Sequence, residues 1–180
     1  MNQTVRFGLI LGAICLVATL VLAVTYEVTK PRIEEQARLE QERALKEVMP
    51  EADSFEAKTA GDVEYFDAYQ DSRLIGYCLK VTGNGYGGYI RMIVGIDPHG
   101  YIEGVRVLEH TETPGLGSKI ADKKPGESES PFLEQFNGKD GTTVEVRKDI
   151  DAITGATISS AAVTDAIRRT VDVFMAEVGA

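Results

Sequence analysis

Tryptophan is absent from this chain, and cysteine and histidine are scarce. The 180 residues contain two cysteines, Cys15 and Cys78, and two histidines, His99 and His110. Iron–sulfur clusters and cysteine-type zinc sites need a larger set of ligands, so the chain cannot build one from its own residues. The two histidines are too few for a histidine-rich metal site. Any redox chemistry must therefore come from an organic cofactor or from a partner.

Basic charge is also in short supply. Lys and Arg total 19 against 28 for Asp and Glu, which gives a formal net charge of -9 at pH 7. Proteins that bind nucleic acids present basic surfaces to the phosphate backbone, so we expect no nucleic-acid partner. The length suits one globular domain with an appendage.

The most apolar stretch lies at the N-terminus, where the residues from Phe7 to Val24 carry no charge. The stretch can cross the hydrocarbon core of a bilayer, which takes a helix of about 20 residues. A signal peptide is the alternative, but its apolar region is usually shorter and ends in a small-x-small cleavage site. The sequence VTYE at residues 24–27 is a poor cleavage site. We therefore predict an uncleaved transmembrane anchor over residues 1–26.

Charge alone does not orient this anchor. Arg6 precedes the apolar stretch. Four basic residues follow closely after it: Lys30, Arg32, Arg38 and Arg43. The positive-inside rule, which largely ignores acidic residues, leans towards a cytoplasmic domain.

A charged helix is expected over residues 27–50. Its apolar residues form a thin stripe among Glu, Gln, Lys and Arg, which is typical of a helix surrounded by water. Pro31 lies near its start, where proline is tolerated, and Pro50 ends it. We predict a stalk between the anchor and a globular domain over residues 51–180.

Alternating apolar residues and turn signals predict the fold of that domain. Turn residues at 70–73 and 97–100 separate neighbouring strands, and apolar residues alternate at 90–96, as on one buried face of a sheet. The predicted strands span residues 63–69, 74–81, 88–96, 101–108 and 143–147, with a short helix at 131–136. A closing helix has one face made of Ile158, Ala162, Ala166, Val171 or Thr170, Phe174 and Val178. The fold class is α+β, an antiparallel sheet with packed helices, preceded by one N-terminal transmembrane helix.

A glycine-rich segment at 83–88 contains the spacing G-x-G-x-x-G. A dinucleotide-binding fingerprint with this spacing must open a helix, but residues 89–94 alternate as a strand. We reject the fingerprint and expect the glycines to allow a tight turn or the close approach of a ligand. Tyr86 and Tyr89 either pack beside a flat ring or belong to ordinary sheet packing.

Two further motifs indicate a cofactor site. DAITGAT at 151–157 opens the closing helix and places the hydroxyl of Thr157 at its start. A helix N-terminus suits a phosphate because its first N–H groups are unpaired and the helix dipole is positive there. The alternative is an ordinary capping threonine. The loop TPGLG at 113–117 either offers backbone N–H groups and one apolar side chain to a planar ring or is an ordinary surface loop.

Together these features resemble the G subunit of the Rnf complex, the ion-translocating ferredoxin:NAD⁺ oxidoreductase. The shared features are the N-terminal anchor, GYGGY at 85–89, TPGLG at 113–117 and DAITGATISS at 151–160. DAITGAT matches the acidic-x-x-(Ser/Thr)-Gly-Ala-Thr pattern on which bacterial flavin transferases attach FMN through its phosphate. The resemblance implies an electron-transfer subunit with an FMN-binding domain, inactive alone, that works with the other Rnf subunits. It also implies maturation by a flavin transferase and a domain on the periplasmic or extracellular side of the membrane.

The resemblance also assigns roles to residues. Thr157 would carry the covalent FMN. The residues implied to hold the phosphate are Thr154, Gly155 and Ala156. Those implied to flank the flavin ring are Glu112, Thr113, Leu116 and Gly117. Lys119 would stabilise negative charge on the reduced flavin or remain a solvated lysine.

Two alternatives stay open at this point. The C subunit of the sodium-pumping NADH:quinone reductase is related and shares the flavin attachment motif, but it is usually longer. A membrane-anchored flavin-binding sensor or assembly module would have the same domain without steady electron flow. The short tail after the closing helix, which leaves no output domain, argues against a sensor.

Overall fold

The computed structural model describes residues 3–123 and 130–178. By its internal contacts the chain divides into two units, Met1–Glu40 and Gln41–Ala180. Helix α1 covers Gln3–Val48. In the described part of the chain it is the one helix long and apolar enough to span a membrane. Its apolar side chains between Phe7 and Val24 are exposed, which suits contact with lipid.

The predicted stalk is helical but does not begin a new helix near Pro31. That proline lies inside α1, where it removes one backbone hydrogen bond. The helix ends at Val48, two residues before Pro50, because the residue that precedes a proline disfavours helical geometry. The last turns of α1 belong to the second unit, where Ala44, Leu45 and Val48 are buried.

The second unit is built on five strands in the order β1-β2-β3-β4-β5, and every neighbouring pair is antiparallel. The strands are β1 Ser54–Ala60, β2 Val63–Gln70, β3 Arg73–Asn84, β4 Tyr89–Ile96 and β5 Ile102–His110. The four strands predicted between residues 63 and 108 are confirmed. The first strand was missed because five of its seven residues are exposed, so it lacks the alternation that marks a half-buried strand.

The turns and short elements agree with expectation at two places and differ at a third. Asp71 and Ser72 both have positive φ, 47° and 65°, the conformation of a two-residue hairpin turn that follows strand twist. The predicted short helix is a 3₁₀ helix, Leu133–Phe136. The predicted strand at 143–147 is wrong. Only an isolated bridge joins Val146 to Ile150, and Arg147 has a φ of 69°, which an extended strand does not allow.

Both faces of the sheet are covered. Helix α2, Thr157–Val178, packs on one face, where Leu79, Met92 and Phe174 belong to the larger core. The end of α1 packs on the other face with Cys78 and other buried residues. Cys78 is fully buried, and burial raises the pKa of its thiol to about 12.

The apolar face predicted for α2 is partly wrong. Ile158 is 57% exposed, and Ala162, Ala166 and Val178 are only partly buried. The buried residues of the helix are Ser159, Ser160, Val163, Thr164, Ile167, Val171 and Phe174. The first turn buries hydrogen-bonded hydroxyl groups instead of apolar side chains. The spacing of apolar residues therefore predicts the wrong buried face for this turn.

Candidate functional site

A tight turn positions the start of α2. The N–H of Ala156 donates to the carbonyl of Ile153 (2.9 Å), and Gly155 has a φ of 81°. A turn with positive φ at its third residue selects glycine. The Ser160 hydroxyl accepts from the N–H of Ile153 (3.0 Å) and donates to the carbonyl of Ala156 (3.0 Å). Ser160 therefore fixes the turn to the helix that follows it.

Thr157 is the first residue of α2 and not its cap. The N–H of Ser160 donates to the carbonyl of Ala156 (3.0 Å), so Ala156 occupies the position before the helix, where a capping residue would be. The N–H groups of the first three helical residues, Thr157, Ile158 and Ser159, have no carbonyl behind them within the helix. Thr157 is exposed. Its hydroxyl thus lies at an accessible, electropositive helix end that suits an anion.

A buried carboxylate joins this helix end to two other segments. Glu112, in the loop after β5, is 5% exposed. Its Oε2 accepts a hydrogen bond from the Ser159 hydroxyl (2.6 Å), and its Oε1 accepts one from the N–H of Gly87 (3.1 Å).

The glycine segment between β3 and β4 is followed by a strand and not by a helix, which confirms that it is not a dinucleotide fingerprint.

The loop at 113–117 differs in one respect from expectation. The N–H groups of Leu116 and Ser118 both donate to the carbonyl of Thr113 (3.2 Å each), and the N–H of Gly115 donates to the Ser118 hydroxyl (2.9 Å). These three N–H groups are therefore not available to a ligand. The exposed side chain of Leu116, 48% accessible, remains free to contact one.

A pocket of about 430 Å³ lies between this loop and the N-terminus of α2. Its lining residues are Tyr86, Glu112, Thr113, Leu116, Gly117, Gly155, Ala156, Thr157, Ile158 and Ser159. Pockets for cofactors and other small molecules measure about 300–1,000 Å³, so the volume fits. Leu116 Cδ2 would lie 3.5 Å from a Cβ placed on Gly155, so the two motifs meet directly.

Seven of the nine residues singled out by sequence line this pocket, and two do not. Thr154 and Lys119 are both exposed and lie outside the lining. Sequence reasoning missed Ile158 and Ser159, although any residue in the first turn of a helix lies near its first N–H groups. Tyr86, 73% exposed, faces the pocket, whereas Tyr89 bonds to Glu109 (3.2 Å).

The described residues offer no candidate metal site to compare with this pocket. Among the residues of ranges 3–123 and 130–178, no group of three or more His, Cys, Asp and Glu side chains could hold a metal ion. The pocket instead combines exposed apolar side chains with a helix N-terminus, which suits an organic ligand carrying an anionic group.

Comparisons with known proteins agree over most of the chain. Residues 85–172 match the FMN-binding domain, and residues 1–48 match the RnfG N-terminal region. The G subunit of the Na⁺-translocating ferredoxin:NAD⁺ oxidoreductase complex from Acetobacterium woodii is 35% identical over 94% of this chain and 90% of its own length. The G subunit of the proton-translocating ferredoxin:NAD⁺ oxidoreductase complex from Clostridium ljungdahlii is 30% identical, over 88% and 84%.

A solved structure shares the fold. The C subunit of the Na⁺-translocating NADH-quinone reductase from Parabacteroides distasonis superposes with a TM-score of 0.53 at 24% identity, over 66% of this chain and 63% of that one. Identity at that level speaks for the fold alone. The curated relatives and the two matched regions place the sequence more closely: the chain belongs to the family of G subunits of the Rnf ion-translocating oxidoreductase complexes.

Proposed function

We propose that this protein is the electron-transferring G subunit of a membrane-bound ferredoxin:NAD⁺ oxidoreductase that moves ions, and that it carries FMN at the N-terminus of α2. The observation that supports this best is the meeting of two motifs. The turn at 153–156 and the loop at 113–117 are far apart in sequence, yet they line one pocket that also contains Thr157. The match of residues 1–48 to the RnfG N-terminal region favours the Rnf complex over the related quinone reductase.

The residues of the pocket fit the parts of FMN. The free N–H groups of the first turn of α2 would hold the phosphate, and Gly155 leaves room beside them. Leu116, Ile158 and Tyr86 offer apolar surface to the flavin ring. Once bound, FMN supplies transfer of one or two electrons and so can couple unlike carriers. The chain contributes binding, orientation and the surrounding charge.

Thr157 is proposed as the covalent attachment residue. Its hydroxyl is exposed at the first position of α2 and lines the pocket. A flavin transferase would supply the flavin phosphate in activated form, joined to a leaving group through a phosphoanhydride bond. The Thr157 oxygen would form the new bond to phosphorus, the phosphoanhydride P–O bond would break, and the leaving group would depart while the hydroxyl proton is released. The ester leaves the ring unmodified and prevents loss of the cofactor. Thr154 precedes the helix and lies outside the pocket lining, so we assign it a minor role.

The remaining assignments follow from position. Gly155 and Ala156 belong to the phosphate side of the pocket, and Thr113, Leu116 and Gly117 to the ring side. Lys119 is outside the lining, so any effect on reduced flavin would act through longer-range attraction and fall with salt.

Other subunits of the membrane complex are the proposed electron donor and acceptor. We further propose that the domain lies on the periplasmic or extracellular side, with a short cytoplasmic N-terminus. There a covalent bond would keep a cofactor that the cytoplasm could not replace.

Fluorescence of the denatured protein in a gel tests the attachment. The full-length chain is produced in a host that contains the flavin transferase, separated under denaturing conditions and viewed in ultraviolet light. Wild type should fluoresce, and Thr157→Ala should not, because it lacks the acceptor oxygen. Thr154→Ala is the matched control, an exposed threonine in the same motif, and should keep its fluorescence. A fluorescent Thr157→Ala band would overturn the assignment.

A second measurement separates electron transfer from a sensor or assembly role. Membranes that contain the Thr157→Ala protein should assemble the complex but lose ferredoxin:NAD⁺ turnover. Normal turnover in such flavin-free membranes would reject the relay and support the alternative.

A further inference from the structure

One buried carboxylate lies where three segments of the flavin site meet. Glu112 accepts hydrogen bonds from the glycine segment, through the N–H of Gly87 (3.1 Å), and from α2, through the Ser159 hydroxyl (2.6 Å). Its own loop continues directly into residues 113–117. Both carboxylate oxygens are thus engaged with protein groups, which is unlike a side chain held ready for direct contact with a ring.

Two glycines keep the space that this carboxylate occupies. A Cβ built on Gly85 would collide with Glu112 Oε1, and one built on Gly117 would collide with Oε2 and lie 2.8 Å from Ser159 Oγ. Neither glycine has a positive φ. Their backbone conformation is open to other residues, so the neighbouring side chains exclude a Cβ at both positions, and the Glu112 carboxylate makes the shortest contact at each.

We propose that Glu112 is a positioning residue of the flavin site. Its carboxylate holds the loop at 113–117 against the N-terminus of α2, and so sets the ring-flanking side chains relative to Thr157. It also places a fixed negative charge beside the pocket. Such a charge disfavours the gain of negative charge when a nearby flavin is reduced, and it therefore lowers the reduction potential. This inference rests on the proposed function and assigns a role to one residue within it.

The positioning part can be tested without flavin. Full-length protein from a host that lacks the transferase is unfolded with urea in detergent, and the tyrosine circular dichroism is followed. Glu112→Ala and Ser159→Ala should each raise the unfolding constant at least about tenfold, because hydrogen bonds to charged groups are strong and their loss leaves a buried partner unsatisfied. The double variant should be little worse than Glu112→Ala, since that change already breaks the bond to Ser159.

Ser160 provides the matched control for this cycle. It is buried beside Ser159 in the same turn, but it bonds to Ile153 and Ala156 and not to Glu112. In the double variant Ser160→Ala/Glu112→Ala, the factor by which the unfolding constant rises should therefore equal the product of the factors for the two single variants. If the effects of Ser159→Ala and Glu112→Ala multiply in the same way, the carboxylate does not hold the helix and the proposal is overturned.

The effect on the cofactor is measured on flavin-loaded protein. Glu112→Gln keeps the shape and can bond to both partners, because a hydroxyl can accept as well as donate. The attached flavin in Glu112→Gln should therefore keep its wild-type fluorescence anisotropy. The reduction potential of that flavin should rise, because the negative charge is gone. Glu112→Ala should lower the anisotropy, because the loop no longer holds the ring. Wild-type anisotropy in Glu112→Ala, or an unchanged potential in Glu112→Gln, would overturn the role of Glu112 in the flavin site.

Failure of the proposed function would look different. Wild-type protein without a fluorescent denatured band would reject the covalent flavin site. The flavin-free unfolding cycle would still report whether Glu112 joins its loop to α2.

Discussion

The turn before α2 should be sensitive to a single methyl group at Gly155. Its φ of 81° is a conformation that costs other residues about 1–2 kcal/mol. The nearest atom to an added Cβ is Leu116 Cδ2 at 3.5 Å, an ordinary contact, so Gly155→Ala introduces strain without a collision. Alanine also lowers the conformational entropy of the unfolded chain, which stabilises the folded state by about 0.4–1 kcal/mol. The net loss in the free energy of unfolding should therefore be about 1 kcal/mol. For a unit of this size we expect a melting temperature lower by about 4 °C.

Gly138 supplies a control with the same strain at a distance from the pocket. Its φ is 74°, and a Cβ there would meet no atom within 4 Å. Gly138→Ala should lower the melting temperature as much as Gly155→Ala does, measured by calorimetry of the flavin-free protein in detergent. Only Gly155→Ala should also reduce covalent flavin per protein several-fold, because its turn orients Thr157. Gly155→Asn should recover part of the loading, since asparagine tolerates positive φ.

Equal flavin loading in Gly155→Ala and Gly138→Ala would refute this reasoning, because it would mean that the turn conformation does not govern attachment. An unchanged melting temperature in both variants would refute the estimate of strain.

Three further outcomes are expected. Cys78, whose pKa is raised to about 12 by burial, should resist alkylation at pH 8 in the folded protein and react only in denaturant. Rapid labelling of Cys78 in the native protein would contradict its place in the core. The hydrogen bond to Asp67 raises the pKa of Lys58, so the free energy of unfolding should be larger for wild type than for Lys58→Met below a pH of about 10. This difference in stability should shrink as the pH rises through the raised pKa, and a difference that does not depend on pH would contradict the ion pair. Protease added to intact spheroplasts should digest the domain after residue 27, and protection until lysis would reverse the proposed topology.

The sequence predicts four of the five strands, including the edge strand β5, and misses the other edge strand, β1. Strands β2 to β5 have clear apolar alternation and sharp turn signals, and the turn at Asp71 and Ser72 falls where expected. Strand β1 pairs on one side only and is largely exposed, so little in its composition marks it as a strand. At 143–147 the β-branched residues indicate a strand, but the chain instead forms turns around Arg147.

In the candidate site, local features can be predicted from the sequence, whereas contacts between distant segments cannot. A helix N-terminus after a glycine is a local feature, so Thr157 and its turn can be identified from the motif. The partners of Glu112 cannot, because its hydrogen bonds run to residues 25 and 47 positions away, and only the fold brings these together. Ser159 and Ser160 follow each other in the motif, yet one bonds to a distant loop and the other to its own turn.

The end of α1 has a practical consequence for anyone who wishes to isolate the globular unit. Val48 lies against Gly95 and Gly104 of the sheet, and with Ala44 and Leu45 it covers Cys78 and Ile93. A soluble fragment cut at residue 51, where the sequence suggests the domain begins, would turn this apolar patch towards water and invite aggregation. A fragment that begins at or before Gln41 retains the covering helix, and flavin uptake measured on it would reflect the pocket and not a damaged core.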